Sequence, residues 1–112
     1  MEIVRTKVFD RDIKRIGATE DDIKALENDL ASDPKVGDVI KGLDGIRKVR
    51  FALPSRNIGK SSGGRAIYLV LEVDEALILI TAYQKNEKED LSSADRKALK
   101  KIVQELKGDD ND

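Results

Sequence analysis

The segment Ile46-Arg47-Lys48-Val49-Arg50-Phe51-Ala52-Leu53 has the alternation of a β-strand. Because strand side chains point to opposite faces with a period of two, Lys48 and Arg50 share one face, and Val49 and Phe51 share the other. The run from Ala66 to Leu71 is apolar and predicts a strand buried on both faces. The residues 54–64 between them are rich in turn formers, so we expect a hairpin with a long, exposed and mobile loop.

Positive charge is concentrated on this hairpin. Seven basic residues and one acidic residue lie between Lys41 and Arg65, a local charge of +6 in a chain whose total is −1. The rest of the chain therefore carries −7. A charge distribution segregated in this way attracts a polyanion, although a basic strand face by itself is more often simply solvated.

Composition excludes several kinds of chemistry. The chain has 112 residues with no cysteine and no histidine, which rules out disulfides, thiolate nucleophiles, the usual zinc sites and imidazole acid/base catalysis. We expect no metal and no cofactor. The length predicts one domain, residues 1–108, followed by an acidic disordered tail, residues 109–112. No segment approaches the roughly 20 apolar residues of a membrane span, which predicts a cytoplasmic protein without membrane contact.

Capping signals place three helices. Residues 3–9 fit a short strand or the start of a helix, and we favour a strand followed by a helix that ends at Gly17. Thr19 and Asp22 form a capping box before a helix over residues 20–32, which Pro34 stops. Ser92, with Asp95 three residues later, starts the last helix.

The remaining elements complete an α+β fold. Residues 35–45 predict an ordered crossover, and residues 77–83 predict a third apolar strand after the hairpin. Three consecutive strands favour an antiparallel sheet. We expect the N-terminal helices and the C-terminal helix to pack mainly on one face of this sheet, leaving the other face exposed.

Three motifs in this order resemble one family. They are Gly45-Ile46-Arg47-Lys48-Val49-Arg50-Phe51, the loop Gly59-Lys60-Ser61-Ser62-Gly63-Gly64-Arg65 running into Ile67-Tyr68, and Leu79-Ile80-Thr81-Ala82-Tyr83-Gln84-Lys85-Asn86-Glu87. The chain resembles the RelE/ParE superfamily of bacterial toxins, most closely its HigB-like branch. This resemblance implies a toxin of a type II toxin–antitoxin pair, a ribosome-dependent endoribonuclease (an mRNA interferase) that inhibits translation by cutting mRNA in the ribosomal A site.

The resemblance also implies site residues. The family's basic pair on the second sheet strand corresponds to Lys48 and Arg50, the arginine that opens the next strand to Arg65, and a later basic position to Lys85. Many members carry a tyrosine or histidine near the start of the C-terminal helix, where this chain reads Glu89-Asp90-Leu91-Ser92. Tyr83 could substitute from the strand end.

Metal-independent RNA cleavage by the 2′-hydroxyl needs a base, cations around the phosphate and a proton donor. We assign Arg65 to the phosphate, Lys48 or Lys85 to acid/base work, and Tyr83 to proton donation or base stacking. Clustered cations disfavour protonation of a neighbouring lysine, which suits a base. The expected RNA-binding residues are Arg47, Arg50, Arg56 and Lys60.

The expected partners are a cognate helix-turn-helix antitoxin, the 70S ribosome with its mRNA, and operator DNA only through the antitoxin complex. One alternative is a non-enzymatic ParE-like toxin that inhibits DNA gyrase by binding it. Another is a degenerate member, or one that acts mainly in operator binding.

Overall fold

The computed structural model describes residues 1–108, which form a five-stranded sheet and three α-helices. The predicted acidic tail, residues 109–112, lies outside the described residues. The elements in chain order are β1 (Glu2–Arg5), α1 (Lys7–Ile16), α2 (Glu20–Ser32), β2 (Asp38–Val39), β3 (Arg47–Phe51), a short 3-10 turn (Pro54–Arg56), β4 (Gly64–Leu71), β5 (Ala76–Gln84) and α3 (Ser93–Leu106). The predicted α+β fold class is confirmed.

The strand order in the sheet is β1-β5-β4-β3-β2. The predicted antiparallel hairpin of β3 and β4 is confirmed, and β5 continues it antiparallel to β4. The expectation of an antiparallel sheet was incomplete, because β1 lies parallel to β5 at one edge and makes the sheet mixed. The crossover also contains a strand that was not predicted, the two-residue β2, which pairs with β3.

Helices cover both faces of the sheet, which corrects the expectation that they pack mainly on one. α1 and α2 pack with Tyr68 and Leu77 on one face, and α3 packs with Ile67 and Ile78 on the other. The physical reason is present in β4, whose neighbouring residues are buried on opposite faces. A strand that is apolar on both faces needs cover on both.

The helix ends follow the predicted capping signals. Thr19 and Ser92 each accept a hydrogen bond from the backbone N–H of the aspartate three residues on, and that aspartate accepts one from the backbone N–H of the cap residue. Gly17 ends α1 in the left-handed conformation with φ +80°. These local interactions satisfy backbone groups that a helix end leaves without partners.

The loop between β3 and β4 is shaped by close packing against Phe51. Gly63 and Gly64 are buried, and a Cβ atom on Gly64 would collide with the Phe51 ring. Asn57 and Lys60, further from the sheet, are exposed as predicted. Only glycine allows the loop to enter β4 this close to β3.

No helix among residues 1–108 is long and apolar enough to cross a membrane.

Candidate RNA-binding cleft

Four basic side chains line one open cleft at the end of the sheet where β4 begins. The cleft has a volume of about 720 Å³. We call it the basic cleft, and its lining residues are Val36, Gly37, Asp38, Lys48, Val49, Arg50, Arg65, Lys85 and Glu89. Lys48, Arg50, Arg65 and Lys85 were predicted as site residues from the sequence, and the structure brings these four together.

Strand register explains why these residues meet. Arg50 lies directly opposite Arg65 in the antiparallel ladder of β3 and β4, and Lys48 lies two residues from Arg50 on the same face. Lys85 follows β5, and its backbone N–H donates to the Gly63 carbonyl at 3.0 Å. Three separate segments of chain thus converge on one end of the sheet.

Arg65 is the most buried cation of the cleft. Its side chain is held by neutral backbone groups: Nη1 donates to the carbonyls of Lys60 and Gly64, and Nη2 to that of Ser61, each at 3.2 Å. Burial lowers the pKa of Arg65, and the neighbouring Arg50 lowers it further. Arginine stays protonated despite such a shift. The result is a fixed, desolvated positive charge, and no salt bridge to it is found among residues 1–108.

Acidic groups face the lysine side of the cleft. Lys48 Nζ lies 3.7 Å from Asp90 Oδ1, and Glu89 lines the cleft beside it. A hydrogen bond from the Leu91 backbone and the charge of Lys48 lower the pKa of Asp90, so the carboxyl is ionised at neutral pH. Part of the positive charge is therefore compensated within the chain.

Tyr83 lies opposite Arg65 in the ladder of β4 and β5, but its hydroxyl does not reach the basic cleft. The Oη atom is buried and has no hydrogen-bond partner among the described residues. Burial raises the pKa of Tyr83, and the charge of Asp90 adds to this effect while Arg65 opposes it. Lys88 Nζ lies 5.2 Å from the ring centroid. Tyr83 borders a second, mostly apolar groove with Ile80 and residues of α3.

The other three predicted RNA-binding residues lie outside the basic cleft. Arg47 Nη1 donates to the carbonyls of Lys35 and Gly37. Arg56 Nη1 donates to the Ile16 carbonyl at the end of α1 and to Gln84. Lys60 is exposed and lies 4.0 Å from Asp29. Arg47 and Arg56 thus stabilise neighbouring segments of the fold, and their assignment to RNA binding stays a prediction.

A buried carboxylate anchors the segment that carries Lys85. Asp12 accepts hydrogen bonds from the Thr81 hydroxyl at 2.5 Å, from the Ala82 N–H at 3.0 Å and from Arg15 at 2.5 Å. Arg15 also pairs with Glu87 at 2.7 Å, and Glu87 accepts from the backbone N–H of Gln84 at the same distance. α1 is thereby tied to the turn after β5 on both sides of Lys85.

Sequence reasoning missed Gly37, Glu89 and Asp90 as lining or neighbouring residues of the cleft. From the sequence alone, Glu89 and Asp90 are typical of a solvated region before a helix cap. A usable signal was their position, since an acidic run between the strand end and the Ser92 cap has to pass the basic edge of the sheet. Gly37 gave no signal, because its need for glycine comes from Tyr68, 31 positions away, whose hydroxyl accepts its N–H at 2.9 Å.

The arrangement suits anion binding and proton transfer with side chains alone. No group of three or more histidine, cysteine, aspartate or glutamate residues that could hold a metal is found over the described part of the chain. Guanidinium groups match the geometry of phosphate oxygens, and lysine ammonium groups can exchange a proton. The cleft therefore combines two arginines for a phosphate with two lysines at its rim.

Comparison with solved structures shows what this chain is similar to. The crystal structure of the isolated E. coli RelE toxin matches with a TM-score of 0.58 at 16% sequence identity, covering 90% of this chain and 97% of that chain. A double arginine-to-alanine variant of the E. coli toxin RelE in the free state matches with a TM-score of 0.53 at 15% identity, covering 79% and 86%. No family model matches the sequence. At these identities the likeness establishes a RelE-like fold, as the sequence predicted, and gives no support to the HigB-like branch in particular.

Proposed function

We propose that this protein is the toxin of a type II toxin–antitoxin system and acts as a metal-independent endoribonuclease on mRNA in the ribosomal A site. Two findings support the proposal: the fold is that of a RelE toxin, and four cations line one cleft in that fold. The resemblance of the sequence motifs to the same superfamily is a third, separate support.

The strongest support for the proposal is the environment of the positive charge of Arg65. Arg65 is 8% exposed and lines the cleft, its guanidinium carries no salt bridge among residues 1–108, and it lies opposite a second arginine. Burying a charge without a counterion costs free energy unless a ligand supplies the opposite charge. An RNA phosphate would supply it, and the charge that develops on the phosphate during cleavage would increase the attraction.

The roles of the other residues follow from their positions. Arg50 would bind the same phosphate or its neighbour, because it lies across the ladder from Arg65. Lys48 and Lys85 would serve as base for the 2′-hydroxyl and as acid for the leaving 5′-oxygen. Tyr83 would act as proton donor only if a movement exposed its hydroxyl, which is buried.

The proposed partners are the ribosome, which would deliver the mRNA, and an antitoxin of the helix-turn-helix class, which would block the cleft and bring the complex to operator DNA. A cleft that carries its own acidic residues binds free RNA weakly, so a larger assembly that positions the substrate would have a large effect.

The test is primer extension on a defined mRNA in a purified translation system, with and without ribosomes. We expect cuts only with ribosomes present, and a loss of about a hundredfold in cleavage rate in Arg65→Ala, the scale seen when one donor to a developing oxyanion is removed. Arg11→Ala is the matched control, because Arg11 is an exposed residue of α1. We expect it to cut like wild type.

Equal cleavage by wild type and Arg65→Ala would contradict the assignment of the site. Intact mRNA with unimpaired translation, together with inhibition of gyrase supercoiling, would contradict the nuclease and support the ParE-like alternative.

A further inference from the structure

The acidic segment Glu87-Lys88-Glu89-Asp90 passes over the lysine side of the basic cleft. Asp90 lies 3.7 Å from Lys48 Nζ, and Glu89 lines the cleft. Asp38, the partner of Lys48 across β2 and β3, is the other acidic residue of the lining. Lys48 thus pairs with Asp90, while Arg65 has no salt bridge among residues 1–108.

Asp90 carries a negative charge beside Lys48, one of the four cations of the cleft. A phosphate bound by Arg65 and Arg50 places its neighbour in the strand within reach of the lysines at the rim, because the four cations line one continuous cleft. Two anions cannot share one ammonium group without repulsion. Asp90 at Lys48 would therefore weaken the binding of a phosphate there.

The arrangement in which Asp90 contacts Lys48 also has an unfavourable feature at Tyr83. The Tyr83 hydroxyl is buried and has no hydrogen-bond partner among residues 1–108, Lys88 of the acidic segment lies over its ring, and Asp90 acts on it electrostatically. A buried hydroxyl without a hydrogen bond is unfavourable, so a movement that exposed it would gain a hydrogen bond to water or RNA. The Asp90 side chain is 71% exposed and lies 3.7 Å from Lys48, so a polyanion can displace this contact.

We propose that Asp90, assisted by Glu89, is a specificity-determining residue that competes with phosphate for Lys48 and so weakens the binding of free single-stranded RNA. This inference rests on the proposed function and deepens it. The acidic segment weakens the binding of free RNA from solution, whereas RNA that the ribosome holds in place can still bind. A carboxylate built into a cation site lowers affinity for anionic ligands that bring no other binding energy.

The test is the affinity of a fluorescent single-stranded RNA with 2′-O-methyl groups, which prevent cleavage, measured by anisotropy at low ionic strength. We expect Asp90→Asn to bind about threefold more tightly than wild type, the scale of an exposed ion pair. Asp74→Asn is the matched control: it makes the same chemical change at the opposite end of the sheet, in the turn between β4 and β5. We expect it to bind like wild type.

A double-mutant cycle separates competition for Lys48 from a general charge effect. If Asp90 acts through Lys48, the gain from Asp90→Asn disappears when Lys48 is replaced by glutamine. A gain that persists in Lys48→Gln overturns the inference, and so does a gain that Asp74→Asn reproduces.

Arg65→Ala in the same assay distinguishes the two proposals. Weaker binding in Arg65→Ala, with equal affinities for wild type and Asp90→Asn, overturns this inference and leaves the proposed function in place. Equal binding by wild type and Arg65→Ala, with tighter binding by Asp90→Asn, contradicts the assignment of Arg65 to the phosphate in the proposed function and leaves this inference in place.

Discussion

Arg50 and Arg65 lie directly opposite each other in the antiparallel ladder of β3 and β4. Like charges at such a position destabilise a sheet, so this pair opposes folding. We therefore expect Arg50→Thr to raise the free energy of unfolding by about 0.5 kcal/mol, since threonine suits a strand and removes the repulsion. RNA affinity should fall in the same variant. Urea unfolding and the anisotropy assay measure the two effects, and lower stability with unchanged affinity would contradict the prediction.

Gly37 allows β2 to approach β3 beside the cleft. A Cβ atom there would lie 2.8 Å from Tyr68 Oη and 2.9 Å from the Lys48 carbonyl oxygen. Tyr68 Oη cannot move freely, because it donates to the Pro34 carbonyl at 2.8 Å. We expect Gly37→Ala to reduce the free energy of unfolding by about 2 kcal/mol, as overpacking of a close contact does.

Gly59→Ala is the control for this change, because a Cβ at Gly59 would meet nothing within 4 Å. It should unfold like wild type in urea. If both alanine variants unfold alike, the close approach at Gly37 does not matter for stability.

Asp12 is a buried carboxylate with three hydrogen-bond donors from β5 and α1. Removing it leaves the Thr81 hydroxyl and the Ala82 N–H without this acceptor and takes one carboxylate from Arg15, and we expect Asp12→Ala to lose about 3 kcal/mol of unfolding free energy. Cleavage should also fall, because Arg15 then loses one of the two carboxylates through which it holds the turn that contains Lys85. Asp10→Ala, an exposed change on the same helix, should cost no more than about 0.5 kcal/mol.

Asp22 links α2 to the loop after β3. Burial acts to raise its pKa, but hydrogen bonds from Ser55 and Thr19 outweigh burial, so the pKa lies below the ordinary value of 3.8. A carboxyl whose pKa is lowered by folding stabilises the protein at pH values above its pKa in the unfolded state. This contribution is lost as the pH falls through the pKa in the folded state. Between about pH 5 and pH 2 the unfolding free energy should decline less in Asp22→Asn than in wild type. Asp21→Asn, at the exposed neighbour, should decline like wild type.

The helices and the hairpin could be predicted because their signals are local. Capping at Thr19 and Ser92 depends on residues three positions apart, and the alternation in β3 depends on neighbours, so both could be interpreted without tertiary contacts. The convergence of Lys48, Arg50, Arg65 and Lys85 could also be predicted. The hairpin brings the first three together, and the family resemblance adds Lys85.

The placement of α3 and β1 could not be predicted in the same way. Whether an amphipathic helix covers one face of a sheet or the other depends on the direction in which the chain leaves the strand, and no local pattern records that direction. Arg47 and Arg56 show the same limit. Both look like RNA-binding residues in a basic segment, yet each binds backbone carbonyls that distant parts of the chain bring near.

The sequence by itself determined the elements, the basic face of β3 and the chemistry that is available, because propensity, capping and side-chain type are properties of short segments. Tertiary structure alone decided which charges are compensated. Asp90 meets Lys48 across 42 positions of the chain, and Arg65 is surrounded by carbonyl groups instead of carboxylates. Electrostatic interaction depends on distance in space, and that distance exists only after the sheet has formed.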